Sequence, residues 1–272
     1  MKKILALVLV LCMAAALCAC GNKADGNSDA APADNAAESD LAYVQGEGTL
    51  IVGITDFAPM DYTDDSGEWI GFDADMARAF AESIGVEVKF VEIDWDNKIL
   101  ELNNKSIDAV WNGMTLTDEV VNSMECSNAY CNNAQVVVVS ADVADKYQTA
   151  DSLSELSFAV ESGSAGEEAA EEAGLTFTSV LTQADALMEV AAGTSDACII
   201  DLLMAGAMIG EGTSYPDLTH TVELTEEQYG VGFRQGSDLA AKLNEFFAAA
   251  YADGSMLETA ETYGVQESVL PQ

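Results

Sequence analysis

The chain has 272 residues, with 47 acidic residues against 10 basic ones and a formal net charge of −37. A surface of this sign repels phosphate backbones, which excludes nucleic-acid binding through a basic face, and a hydrophobic content of 49% excludes a chain that is disordered throughout. The length predicts one or two domains, and the acidity favours a secreted monomer with a bias toward cationic partners.

The first residues have the pattern of an export signal. Two lysines precede an apolar run over residues 4–17, which is long enough for a secretory signal peptide and too short to span a bilayer. The run ends in L-C-A-C-G, which resembles the box at which bacterial lipoproteins are cleaved, although Cys18 stands where Ala, Ser or Thr is commoner. We therefore predict a signal peptide over residues 1–19 and a lipid on Cys20. Ordinary cleavage that leaves Cys20 as a free thiol is the alternative.

The segment that follows has only small or polar side chains. Residues 21–40 read GNKADGNSDAAPADNAAESD and contain no large apolar residue, so burial cannot offset the entropy lost on ordering them. We predict a flexible tether over residues 20–44 and a folded part that begins near Tyr43.

The folded part alternates short β-rich runs with amphipathic helical runs. Hydrophobic periodicity predicts a first set of elements: strand 49–54, helix 74–85, strand 86–93, helix 95–104, strand 107–113 and strand 134–140. A second set comprises strand 156–160, helix 164–174, strand 176–180, helix 183–193, strand 195–201, helix 202–210, strand 228–235, helix 238–254 and a last helix that ends near Tyr263. Repeated β-α-β units predict an α/β fold of largely parallel sheets covered by helices, with ligands at the carboxyl ends of the strands.

The cysteine and histidine pattern gives no indication of a metal site or a catalytic triad. Six cysteines are present; two leave with the predicted signal peptide, one is the predicted lipid site, and the remainder are Cys126, Cys131 and Cys198. The spacing of the first two allows a disulfide but does not establish one. The single histidine, His220, has no nucleophile motif beside it, so we predict no zinc site, no cofactor and no His-dependent hydrolase.

Several motifs together point to one protein family. The segments LIVGITDFAPMDY, ILELNNKSIDAVWNGMTLTDE, FAVESGSAGEEAA, SDACIID and YGVGFRQGSDLAAKLN resemble the extracellular solute-binding proteins of polar amino-acid ABC importers, over about residues 45–265. The resemblance implies a two-lobed, type II periplasmic-binding-protein-like fold with two crossover hinge strands and a ligand cleft between the lobes. Lobe 1 would comprise residues 45–137 plus 233–272, and lobe 2 residues 138–232.

The same resemblance implies a function and its partners. The protein would be an extracytoplasmic, lipid-anchored, monomeric binding protein that closes on an amino acid and presents it to an ABC transporter permease. It would not be an enzyme and would need no cofactor.

The resemblance also implies the ligand-binding residues. Asp56 would face the ligand's side chain, Trp95 would stack on it, and Asp201 would pair with the α-ammonium. The remaining positions match contacts to the α-carboxylate and ammonium or the loop of the second lobe: Asn112, Gly113, Thr115, Glu161, Gly163, Ser164 and Ala165. Each has an ordinary structural alternative, such as a turn for Asp56 or Gly113, core packing for Trp95, or a helix cap for Ser164 and Asp201.

One position departs from the family pattern. The family usually has an arginine, which grips the α-carboxylate, where this chain has Val120. Asp56, Glu161 and Asp201, with no base predicted in the cleft, indicate an anionic pocket that a cation would neutralise. We therefore predict a basic amino acid or a related amine as ligand, with a neutral polar amino acid such as glutamine or cystine as the alternative.

Two other function classes have less support in the sequence. A dehydratase-like enzyme on the same fold would use paired acids, but no catalytic motif is present. The acidic run over residues 61–73 fails the EF-hand spacing for calcium and instead predicts a hairpin turn at residues 64–67, so a calcium-binding or sensory module is the weaker interpretation.

Overall fold

The computed structural model describes residues 39–272. The predicted signal peptide (1–19), the predicted lipid site Cys20 and most of the predicted tether lie outside the described residues. Within residues 39–272, every helix is too short or too polar to cross a bilayer. The cysteines in this range, Cys126, Cys131 and Cys198, are free thiols, so the disulfide that the spacing allowed between the first two is not formed.

The helices have clear local causes at their ends. In chain order they are α1 Asp40–Glu47, α2 Phe72–Ser83, α3 Lys98–Asn103, α4 Asp118–Ser123, α5 Ala165–Glu172, α6 Gln183–Ala192, α7 Leu202–Met208, α8 Leu239–Asp253 and α9 Ser255–Tyr263. Helix α6 shows the pattern that made it predictable. The Thr182 hydroxyl caps its first turn by accepting from the backbone N–H of Asp185 at 3.0 Å, and Gly193 ends it in the left-handed region at φ 72°.

The strands form one large sheet and one small hairpin. They are β1 Thr49–Ile54, β2 Tyr62–Thr63, β3 Trp69–Ile70, β4 Glu87–Glu92, β5 Ala109–Thr115, β6 Glu125–Cys126, β7 Cys131–Ser140, β8 Ser157–Glu161, β9 Thr176–Val180, β10 Ala197–Asp201 and β11 Leu218–Phe233. Strands β2 and β3 pair with each other and flank the turn predicted at residues 64–67. This turn is therefore a hairpin, as expected.

The large sheet contains two parallel sets joined by two long antiparallel strands. Its order is β4-β1-β5-β11-β7-β10-β8-β9, with β6 paired to β11. Strands β4, β1 and β5 are parallel, and so are β10, β8 and β9. Strands β7 and β11 pair antiparallel between these sets, from Leu218 opposite Ser140 to Tyr229 opposite Cys131. The predicted α/β class is confirmed, and the lobe limits at residues 137/138 and 232/233 stay a prediction.

The folded part begins earlier than the composition indicated. Helix α1 starts at Asp40, inside the predicted tether, and the Asp40 carboxylate forms an ion pair with Arg234 at 3.0 Å. Arg234 is buried and also binds Asp108 at 3.0 Å. A long-range ion pair of this kind leaves no trace in local composition, which is why the polar sequence around residue 40 resembled a linker.

Candidate functional site

A cavity of about 300 Å³ opens at the carboxyl ends of the parallel strands. This is the edge where α/β folds bind ligands, and the volume lies at the lower end of the range for small-molecule sites. Nine of the ten ligand-binding residues predicted from the sequence line it together: Trp95, Asn112, Gly113, Thr115, Glu161, Gly163, Ser164, Ala165 and Asp201.

Asp56 is placed differently from the other nine. Its side chain is exposed, whereas its neighbours Thr55 and Phe57 are buried and line the cavity. Successive side chains of an extended segment point to opposite sides, so the two neighbours face inward and Asp56 faces outward. Sequence reasoning therefore missed Phe57, the aromatic residue beside the acid that the motif had singled out.

The cavity wall formed by β5 is fixed by hydrogen bonds to other parts of the protein. The amide of Asn112 accepts from the Thr55 N–H at 2.9 Å and donates to Asp61 at 2.8 Å. The Gly113 N–H donates to the carboxylate of Asp73 at 2.7 Å. These groups are thus engaged by the protein, and their part in the site is to fix the shape of the wall.

Gly113 has a second constraint, which is steric. Its φ is +54°, and a Cβ atom added there would lie 2.3 Å from the Phe57 ring. Only glycine allows this close approach. The alternative that Gly113 serves a tight backbone path therefore holds, and that path brings the Phe57 ring to the cavity.

The opposite wall is the loop between β8 and α5. The Ser164 hydroxyl caps α5 by accepting from the Glu167 N–H at 3.1 Å, and the Glu167 carboxylate accepts from the Gly163 N–H at 2.7 Å. A Cβ atom on Gly163 would lie 2.8 Å from the Cα of Asp96. The loop is therefore packed directly against the turn that carries Trp95.

Two buried carboxyl groups line the cavity floor. Asp201 stands at the start of α7, yet its carboxylate accepts from Tyr229, Gln183 and Asn133 rather than capping the helix. Burial, and secondarily Glu227, raises the pKa of Asp201 to about 8. The capping alternative for Asp201 is thereby set aside.

Glu161 is the other buried carboxyl group on the cavity floor, and it has fewer hydrogen-bond partners than Asp201. Its side chain is 3% exposed, and its Oε1 finds no hydrogen-bond partner among residues 39–272. Burial, followed by the charge of Asp201, raises the pKa of Glu161 to about 8. A buried carboxyl oxygen without a donor is costly unless something in the cavity provides one.

Thr115 is anchored by an acid that the sequence analysis did not single out. Its hydroxyl donates to Glu227 at 2.8 Å, and the same Glu227 oxygen accepts from the side-chain amides of Asn133 and Gln135. Glu227 lies on β11, far along the chain from Thr115, and no local motif marks it. This network links the β5 wall to the two long strands.

The cavity also contains a base, which corrects the expectation that the cleft has none. Lys98 is 4% exposed and lines the cavity, with its Nζ donating to the Gly163 carbonyl at 2.8 Å and lying 5.2 Å from the centre of the Trp95 ring. Burial lowers the pKa of Lys98, and the nearby charges of Glu119 and Glu161 act against that shift. The signal in the sequence was its spacing: Lys98 follows Trp95 by three residues, on the same helical face.

The two arginines belong to the scaffold, as their sequence context indicated. Arg234 is buried between Asp40 and Asp108, and Arg78 pairs with Asp75 at 3.0 Å. Val120, where the sequence resemblance implies an arginine, is buried and lines the cavity.

Comparison with known proteins places this geometry among binding proteins. The model of the bacterial extracellular solute-binding proteins, family 3, matches residues 50–266. A probable histidine-binding protein of Neisseria gonorrhoeae is 28% identical over 249 residues, covering 89% of this chain and 88% of that protein. An arginine-binding extracellular protein of Bacillus subtilis (strain 168) is 27% identical over 255 residues, covering 90% and 91%.

A solved structure supports the same conclusion for the fold. The crystal structure of a mutant of ArgBP from T. maritima matches with a TM-score of 0.77 at 30% identity, covering 82% of this chain and 98% of that one. The predicted two-lobed fold with its cleft and crossover strands is thereby confirmed, with β7 and β11 as the long strands between the two parallel sets.

Proposed function

Because the chain belongs to the bacterial extracellular solute-binding proteins of family 3, which bind their ligand for an ABC importer and are not enzymes, we propose that its ligand is a basic amino acid or a related amine. The observation that carries this proposal is Glu161, a buried carboxyl on the cavity floor with an oxygen that lacks a donor. A ligand cation would supply that donor.

The charges around the cavity support the same ligand class. Six carboxyl groups line it against one base, Lys98; the acids are Glu119, Glu161, Glu167, Glu168, Glu171 and Asp201. With the ligand's α-ammonium group bound at Asp201, Glu161 is available to bind a second positive charge on the ligand. A net negative cavity attracts such a ligand and is stabilised when the ligand fills it.

Calorimetric titration tests the ligand class directly. L-arginine, L-lysine and L-ornithine are titrated beside L-glutamine, L-cystine and L-glutamate, with Glu161→Gln and the exposed Asp56→Asn as a matched pair of variants. We expect the basic amino acids to bind most tightly, and Glu161→Gln to weaken L-arginine about tenfold or more through loss of one charge-assisted hydrogen bond. Tight binding of L-glutamate with no response to any cation would overturn the proposal.

A neutral polar ligand is the second candidate, and one observation favours it. With pKa values of about 8, Glu161 and Asp201 retain protons at neutral pH in the empty cavity, so a protonated Glu161 could donate to a neutral amide. In that case L-glutamine would bind more tightly than L-arginine, and Glu161→Gln would change its affinity little.

We also propose that the protein is held to the outer face of the cell membrane by lipid on Cys20, with the folded part acting as a monomer. The support is the L-C-A-C-G box behind an apolar run. Metabolic labelling with a fatty acid should mark the wild type and not Cys20→Ala, and the variant should appear in the medium. Equal labelling of both forms would argue against the anchor.

A further inference from the structure

The cavity is lined by one lysine, Lys98, and has Val120 where the family resemblance implies an arginine. Lys98, at the start of α3, and Val120, within α4, line the same cavity. On the premise that the ligand is an amino acid, as proposed above, its α-carboxylate needs a cation or a set of donors. We propose that the Lys98 ammonium binds this carboxylate and thereby takes over the role of the arginine absent at residue 120.

The hydrogen bonds of Lys98 leave room for a ligand. An ammonium group has three donors. One is directed to the Gly163 carbonyl at 2.8 Å, and the Trp95 carbonyl lies at 3.4 Å, the long limit of a hydrogen bond. A ligand carboxylate can therefore bind the remaining donor and replace the long contact without breaking the link to Gly163.

The charge balance of the site also favours this assignment. Lys98 is the only base among the described residues that line the cavity, and it is 4% exposed. Asp201, Glu161 and Lys98 then supply one group for each charge of a basic amino acid: the α-ammonium, the side-chain cation and the α-carboxylate. A buried ammonium is stabilised by a carboxylate more than by the carbonyl groups it now contacts.

A different role for Lys98 is structural, and it predicts a different result. The bond to Gly163 joins the turn at Trp95 to the β8–α5 loop, so Lys98 could serve only to hold these two walls together. Loss of such a link would weaken every ligand equally. Loss of a carboxylate partner would weaken only ligands that carry a carboxylate.

Matched ligand pairs separate these roles. L-arginine is titrated against agmatine, L-lysine against cadaverine, and L-glutamine against 4-aminobutanamide, each pair differing by the α-carboxylate alone. The wild type should prefer the carboxylate form about 10- to 100-fold. Lys98→Met retains most of the side-chain volume and should reduce this preference to below about threefold, with little change for the decarboxylated member. Adding Val120→Arg to Lys98→Met should restore the preference.

The outcomes separate this inference from the ligand class. If only the L-glutamine pair binds, the proposed basic ligand is overturned. The comparison of L-glutamine with 4-aminobutanamide would then still test the role of Lys98. Equal binding of both members of a pair by the wild type, or equal weakening of both by Lys98→Met, would overturn the role of Lys98. The wild-type comparison needs no variant, so it can overturn the role of Lys98 even if Lys98→Met does not fold, and a preference restored by Val120→Arg in the Lys98→Met background supports that role.

Discussion

Two pairs of buried carboxyl groups lie close to the cavity, and they serve different purposes. Asp61 and Asp73 lie behind the β5 wall, both fully buried, and accept hydrogen bonds from the protein. Glu161 and Asp201 are almost as deeply buried but line the cavity itself. Similar burial and charge therefore do not identify a ligand site; access to the cavity does.

The hydrogen-bond partners of Asp73 show its role in the scaffold. Asp73 accepts from the Gly113 N–H and from the Tyr130 hydroxyl, so it fixes a loop and a core aromatic. Burial raises the pKa of Asp73 to about 7, and burial together with Asp73 raises that of Asp61 well above its usual range. Asp61, Asp73 and Glu161 each keep one buried oxygen without a donor among the described residues, but of the three only Glu161 lines the cavity, where a ligand can supply that donor. We term Asp61 and Asp73 the scaffold pair and Glu161 and Asp201 the cavity pair.

Removal of a carboxyl from the scaffold pair should have the largest effect. Asp73→Ala leaves the Gly113 N–H and the Tyr130 hydroxyl buried without an acceptor, which should lower the free energy of unfolding by about 2–5 kcal/mol. Urea denaturation followed by circular dichroism measures it, with Asp56→Ala as the exposed control. A loss no greater than that of the control would break the distinction between the pairs.

Within the cavity pair, Asp201 should dominate ligand affinity. Asp201→Asn retains the shape of the side chain but loses the charge that meets the α-ammonium, so L-arginine should bind about 30-fold more weakly, or about 2 kcal/mol. The stability of the ligand-free variant should stay within about 1 kcal/mol of the wild type, because Asp201 retains its proton at neutral pH in the empty cavity and Asn is a neutral group of similar shape. Calorimetry and urea denaturation give the two values, and unchanged affinity would exclude Asp201 from the ligand site.

The pH dependence of the Tm should distinguish the two pairs, because a bound ligand should change the contribution of the cavity pair and not that of the scaffold pair. All four pKa values are raised in the folded state, so the stability they contribute is present at low pH and is lost as the pH rises, through about 7 for Asp73 and about 8 for Glu161 and Asp201, with the raised pKa of Asp61 acting in the same direction. The Tm of the ligand-free protein should fall by on the order of 5 °C between about pH 5 and pH 9.

Saturation with L-arginine should reduce this fall, because the ligand stabilises the ionised form of the cavity pair and leaves only the scaffold pair to titrate. By the same linkage, affinity for L-arginine should rise with pH up to about 8. Thermal melts at several pH values, with and without ligand, check both statements. A Tm that rises with pH in the ligand-free protein would contradict the assigned shifts.

The smallest effect should come from the acid that the sequence motif favoured and the structure turns outward. Asp56→Asn should change affinity for L-arginine less than about twofold and the free energy of unfolding by less than about 0.5 kcal/mol. A clear loss of affinity in calorimetry would return Asp56 to the ligand site, as a third carboxyl group beside the cavity pair.

Much of the fold could be predicted because its elements have local signals. Strand β1 matches the predicted range to the residue, since TLIVGI is a short buried β-branched run. Strand β11 begins ten residues before its predicted start at residue 228, because its first part alternates polar residues and is only half buried. Its stability comes from pairing with β7, which local sequence does not record.

The site could be predicted where family motifs mark positions and not where packing decides orientation. Asp56 lies one position away from two residues that line the cavity, Thr55 and Phe57, and one position along an extended segment is enough to reverse the direction of a side chain. Lys98 was missed because a lysine in an amphipathic helix ordinarily faces solvent. Here the loop that contains Gly163, distant in sequence, packs against Lys98 and buries it.

The ion pair between Asp40 and Arg234 has a practical consequence for anyone who prepares this protein. A recombinant form that starts at residue 45, where the composition places the first lobe, would lack Asp40 and the Ser39 cap of α1. Arg234 would then keep Asp108 as its one carboxylate partner, beside the Ile107 carbonyl, and the loss of the Asp40 partner from this buried site should lower the stability of the fold. Expression should therefore begin upstream of Ser39, so that titrations are performed on an intact folded part.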